Sequence, residues 1–144
     1  MNKIFWPEST FFKRPKKRGP RKARTGKRAS PEHTLQVQVA NALEQHCKHV
    51  WFAVENGGKR HIRAAQKLKR AGVRPGVPDL HFCLPRGQAA YLELKAEKGR
   101  LSEAQIKFRQ DVQALQGWWA VAYSFDEACG ILAAWGCLPS EANR

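Results

Sequence analysis

Long apolar runs are missing from this chain. The N-terminus has none that would serve as a signal peptide, and Ala128–Leu138 is too short and too broken by glycine to span a bilayer. These absences exclude export and membrane insertion and lead to the expectation of a soluble, cytoplasmic protein. The four cysteines, at 47, 83, 129 and 137, have none of the short paired spacings that zinc sites and redox motifs need, so they read as reduced, mostly buried thiols. No internal repeat is visible, and 144 residues allow one domain whose core needs neither a disulfide nor a structural metal.

Acidic residues are also scarce, with 12 Asp and Glu against 26 Lys and Arg, a formal charge of +14. A protein this basic meets a polyanion: DNA, RNA or an acidic membrane surface. The excess is concentrated at one end, because residues 1–30 hold eleven Lys or Arg and one acid, Glu8. From Lys13 to Arg28 proline, glycine and like charges alternate, a composition that buries no apolar surface and is expected to stay disordered when free. Residues 1–30 therefore read as a basic arm, 31–138 as the folded domain and 139–144 as a tail. Lys16, Lys17, Arg18, Arg21, Lys22 and Arg24 are expected to track phosphates in a salt-dependent way; a solubilising or import-like tail is the alternative. Phe5, Trp6, Phe11 and Phe12 precede the basic run and either stack on bases or pack on the domain.

Ser30-Pro31 reads as an N-cap followed by proline at the first helical position, opening a helix of about four turns through Leu35, Val39, Ala42 and Leu43. Residues 49–54 read as a short buried strand, broken by Asn56-Gly57-Gly58. Residues 59–71 read as a helix stopped by Gly72, with Ile62, Ala65 and Leu68 on one side and Arg63, Lys67 and Arg70 on another. Those three cations, with Arg74 beyond them, either contact phosphates or form a solvated face. Arg74-Pro75-Gly76 has the chemistry of a tight turn, and Leu80–Leu84 and Ala89–Ala96 have the form of a β-hairpin. Ser102 and Gln105 have capping-box spacing at the start of a helix that Gly117 ends. Residues 118–123 then form a strand, and Ser124 with Glu127 makes a second box for a helix through Trp135. The order αβ(α)ββαβα predicts an α/β domain.

In a strand, alternate side chains share a face, so Glu93 and Lys95 stand side by side while Leu92 and Leu94 face the other way. Asp79, at the opening of the neighbouring hairpin strand, falls beside Glu93. Two carboxylates and a lysine are what phosphodiester hydrolysis needs: a hard divalent cation on carboxylate oxygens neutralises charge and makes a nucleophile from water. A lysine beside it orients or deprotonates that water, its ammonium pKa falling near other cations. The bland alternative is a solvated sheet face with Asp79 ending a turn. Glu32 lies inside the apolar arc of the first helix and should face inward, although a first-turn acid also suits the helix dipole. Gln36, one turn later, would meet substrate or brace Glu32. Gln105 is either only a capping residue or, from its place after the Glu93 strand, part of the site.

Gly72-Val73-Arg74-Pro75-Gly76-Val77-Pro78-Asp79-Leu80, Leu92-Glu93-Leu94-Lys95 and Leu101-Ser102-Glu103-Ala104-Gln105, in this order, resemble the virus-type replication-repair nuclease (VRR-NUC) family of the PD-(D/E)XK nucleases over roughly residues 32–133. The resemblance implies a restriction-endonuclease-like core with a central mixed sheet flanked by helices. It implies Asp79, Glu93 and the backbone carbonyl of Leu94 as metal ligands, Lys95 as the catalytic lysine, Glu32 as the helix-borne acid and Gln105 as the glutamine after the catalytic strand. It further implies Mg²⁺ or Mn²⁺, 5′-phosphate products, and a homodimer acting on branched DNA such as a four-way junction. From a different class, a non-catalytic nucleic-acid-binding protein using the basic arm predicts salt-sensitive binding with no metal-dependent product.

Overall fold

The computed structural model describes residues 30–54 and 62–140. The arm with its expected phosphate contacts, the aromatics before it, the Asn56-Gly57-Gly58 break and the side chain of Arg63 lie outside the described residues. The elements are α1 (Pro31–His46), β1 (Val50–Ala53), α2 (Ile62–Arg70), β2 (Leu80–Cys83), β3 (Ala89–Leu94), α3 (Glu103–Ala114), β4 (Trp118–Ala122) and α4 (Phe125–Ala134), with a 3₁₀ turn at Pro85–Gly87. They build one mixed sheet in the order β1-β2-β3-β4, antiparallel except for the parallel β3–β4 pair. That parallel pair needs a crossover, and α3 supplies it.

One face of the sheet is the core. Leu80, Phe82, Ala90, Leu92, Leu94 and Ala122 pack there against Leu35, Val39 and Leu43 of α1 and Ala128 and Leu132 of α4. The four-residue spacing in α1 puts its three apolar residues on one stripe, which is why the helix lies along the sheet. Its start follows from chemistry: the Ser30 hydroxyl accepts the His33 N–H at 3.2 Å with Pro31 at the first helical position. α2 ends where Gly72 turns left-handed (φ 89°), with Gly72 N–H donating to Lys69 and Val73 N–H to Leu68.

Several local expectations are corrected. β1 is an edge strand with a partner on one side, and Val50 and Phe52 are 66% and 48% exposed instead of buried. The left-handed residue after α3 is Gln116 (φ 60°), not Gly117; Gly117 supplies room, since a Cβ there would stand 2.6 Å from Val112 Cγ1. The second capping box is half formed. Ser124 accepts the Glu127 N–H at 3.2 Å, but the Glu127 carboxylate turns to the Tyr123 N–H at 2.7 Å. All four cysteines are free, with Cys137 buried and Cys83 exposed. Burial, with the Cys47 thiol beside it, pushes the Cys137 thiol up to about 12, so it stays protonated and unreactive. Among the described residues, no helix is long and apolar enough to cross a membrane.

Candidate active site

The hairpin register sets Leu80 opposite Leu92, which one step further brings Asp79 level with Glu93. Asp79 is fixed at both ends: its carboxylate Oδ2 accepts the Leu94 N–H at 2.9 Å, and its carbonyl accepts the Val54 N–H at 3.0 Å. The turn before it is held by Gly76, whose left-handed φ of 79° suits glycine. A Cβ at 76 would stand 2.2 Å from the Ala104 carbonyl oxygen and 2.7 Å from the Gln105 nitrogen, so this turn sits directly on the first turn of α3.

Strand alternation puts Glu93 and Lys95 on the sheet face opposite the core, and Lys95 Nζ lies 2.6 Å from Glu93 Oε1. Gln105 meets the same oxygen. Its Nε2 donates to Glu93 Oε1, while its own Oε1 accepts the Ser102 N–H at 2.8 Å and the Ser102 hydroxyl at 3.2 Å. The Ser102 hydroxyl in turn accepts the Gln105 N–H at 3.3 Å. The two readings of Gln105 are therefore compatible, since one amide caps the helix through oxygen and grips the site through nitrogen. Ser102, read from sequence only as a cap, orients that amide.

Burial dominates the electrostatics. Glu93 is only 2% exposed. Its carboxyl is pushed up to about 7 by burial, against the Lys95 hydrogen bond that lowers it, with Asp79 and Glu32 adding like charge. Asp79 is raised by burial too, opposed by the Leu94 N–H and Lys95. Burial pulls Lys95 down, but the Glu93 bond and the charges of Glu93, Glu32 and Asp79 outweigh it and raise its ammonium above the ordinary lysine value. The lowered lysine expected from the sequence depends on a cation beside it, whereas here the ammonium has carboxylates around it.

These groups open into a cleft of about 750 Å³ between the N-terminal half of α1 and the ends of the strands. Glu32 and Gln36 line it. Glu32 faces the cleft as the helical wheel requires, but it is exposed at the rim instead of turned inward, and its Oε1 accepts the Ala96 N–H at 3.4 Å. Of the other expected DNA contacts, the three with described side chains, Lys67, Arg70 and Arg74, are not gathered with the site. Lys67 and Arg70 are exposed on α2 and do not line the cleft, and Arg74 lines a separate groove with Tyr91, Phe108 and Leu115.

The donor set fits a hard divalent cation. Among the described residues, Glu93 Oε2 is buried and has no hydrogen-bond partner, which leaves a desolvated carboxylate oxygen without compensation there. In a strand the N–H and C=O of one residue point to the same side, so the Leu94 carbonyl faces Asp79 as its N–H does. Two carboxylates and a carbonyl, completed by water, is a donor set suited to Mg²⁺ or Mn²⁺. Among the described residues, no group of three or more His, Cys, Asp or Glu is gathered to hold an ion by side chains alone.

The fold has counterparts among known proteins. The model of the VRR-NUC domain family matches residues 15–126. A solved structure described as a VRR_NUC domain protein is 21% identical, with a TM-score of 0.57 over 75% of this chain and 89% of that one. Another, described as a VRR_NUC domain, is 20% identical, with a TM-score of 0.51 over 74% of this chain and 97% of that one. A search among curated proteins found no match. With the family model spanning most of the chain and the same fold in both solved structures, the protein belongs to the VRR-NUC domain family, a nuclease-type domain.

Proposed function

We propose that the protein is a metal-dependent, structure-selective DNA endonuclease, a junction-resolving or flap-cutting enzyme of replication and repair that works in the cytoplasm. The observation that carries this reading is the buried, unpartnered Glu93 Oε2, set beside Asp79 and Lys95 in an open cleft. Asp79, Glu93 and the Leu94 carbonyl would hold Mg²⁺ or Mn²⁺, which when bound supplies positive charge to the scissile phosphate and acidity to water. The chain's own groups do the positioning. Lys95 Nζ, 2.6 Å from Glu93 Oε1, orients or deprotonates the attacking water and offsets charge on the scissile phosphate. Gln105 fixes the Glu93 carboxylate, and Glu32 and Gln36 border the path of the strand. Lys16, Lys17, Arg18, Arg21, Lys22 and Arg24 of the arm, with Arg63, Lys67, Arg70 and Arg74, neutralise phosphates. A four-way junction has twofold symmetry, and a homodimer would match it with two paired sites.

The test is incubation of the purified full chain with a labelled four-way junction, a flap and plain duplex, each with Mg²⁺, Mn²⁺ or EDTA, beside Asp79→Ala. Metal-dependent nicks that the variant fails to make establish the site, and their distribution among the three substrates names the structure preferred. Binding without cutting under every metal replaces this reading with a non-catalytic nucleic-acid-binding protein, the alternative favoured by the basic arm. Light scattering that reports a monomer at micromolar concentration removes the dimer.

A further inference from the structure

Rings run in file across the sheet face that carries Glu93 and Lys95. The register sets Phe52 opposite His81 and His81 opposite Tyr91, and alternation along β3 puts Tyr91 on the face of Glu93. Ring centroids are 4.9 Å apart for Phe52 and His81, 5.0 Å for His81 and Tyr91, and 5.4 Å for Tyr91 and Phe108 of α3. The row is backed by α3 at its inner end. In its middle it is pinned by contact of His81 Nε2 with the Pro78 carbonyl, 3.1 Å away and one residue before Asp79.

Its outer member is the half-exposed Phe52. Ala53 and Val54, which follow directly, line the cleft, so the ring is continuous with the site. From ordinary strand spacings Phe52 stands about 12 Å from Glu93, one or two nucleotides along a bound strand. Among the described residues its neighbours on that face are Val50 and Cys83, exposed and uncharged, and the His81 ring, whose Nε2 is engaged by the Pro78 carbonyl. A rigid, bare ring beside a cleft that takes a nucleic-acid strand fits the face of a base. In duplex DNA that face is covered by its neighbours, and only a nucleotide freed at a branch presents it.

On the basis of the endonuclease function above, we propose that Phe52 is a stacking platform for a nucleobase that has left the duplex next to the cut, and so contributes to selection of branched substrate. The test compares two branched substrates that differ only in carrying a base or an abasic analogue at the unpaired nucleotide beside the cleavage position. For the wild type, kcat/KM favours the base-bearing substrate by about tenfold, the order contributed by one base–aromatic stack. Phe52→Ala brings that ratio close to one, and Phe52→Trp keeps it. A ratio unchanged in Phe52→Ala, or an equal loss on both substrates, overturns the proposal and leaves the ring a structural role. Independently of cleavage, 2-aminopurine at the unpaired position is quenched on binding in EDTA by the wild type and Phe52→Trp. Equal quenching by Phe52→Ala overturns the proposal even if the protein proves to cut nothing, which separates its failure from that of the endonuclease reading.

Discussion

The two faces of the sheet are built from the same strands and obey opposite rules. On one, Leu80, Phe82, Leu92 and Leu94 are at most 2% exposed and belong to the apolar core. On the other, interleaved residue by residue with those leucines, Glu93 is equally buried but carries a carboxylate oxygen with no partner. The first face gains stability from every atom it buries; the second holds a carboxyl out of water at a cost that Lys95 and Gln105 offset at one oxygen only. Stability and chemistry are thus divided between odd and even positions of β3, so substitutions one residue apart should fail in different ways.

The largest effect separates Leu92 from Lys95. Lys95→Ala is expected to lower cleavage at least about a hundredfold, the order seen when one preorganised donor is removed, while the fold is kept because Glu93 can take up a proton in place of its lost partner. Leu92→Ala is expected to cost about 3 kcal/mol of stability with catalytic groups intact, read by urea denaturation. A Lys95→Ala protein that unfolds, or a Leu92→Ala protein as stable as wild type, would break the division. Next is the metal. At a concentration a hundred times its Kd, Mg²⁺ or Mn²⁺ is expected to stabilise the wild type by about 2.7 kcal/mol, visible as a rise in melting temperature. Asp79→Asn and Glu93→Gln should lose that rise, and a shift that survives both places the ion elsewhere. The smallest effect sharpens the contrast through two serines with the same local job. Ser102→Ala and Ser124→Ala should each cost about 1 kcal/mol as lost helix caps, but only Ser102→Ala should also lower kcat, because Ser102 holds the Gln105 amide that grips Glu93.

Features set by neighbouring residues were legible in the sequence. Ser30-Pro31, the Ser102 box and Gly72 act within a single helical turn, and the alternation of Leu92, Glu93, Leu94 and Lys95 alone assigns each to its face. Asp79 fell beside Glu93 because a hairpin fixes register across two strands. What depends on a third element was not legible. An apolar run such as residues 50–53 marks a strand but not whether a neighbour covers it, so β1 read as buried. The wheel gave Glu32 a direction but no depth, because it cannot show how far the end of α1 reaches beyond the sheet. Glu127 and Gln105 occupy the same place in their spacings, yet only Gln105 meets its serine's N–H; Glu127 finds the Tyr123 N–H nearer. The ring row requires three strands in register and α3 behind them, which no local pattern contains.

Gly76 carries a consequence for the geometry of the site as a whole. The loop that presents Asp79 and the helix that presents Gln105 are distant in sequence, and they touch backbone to backbone because position 76 has no side chain. That contact works as a mechanical stop, setting the gap between the two halves of the cleft. A single methyl group is the smallest wedge that would force them apart, and the separation of the catalytic groups is thereby gauged by the absence of one carbon atom.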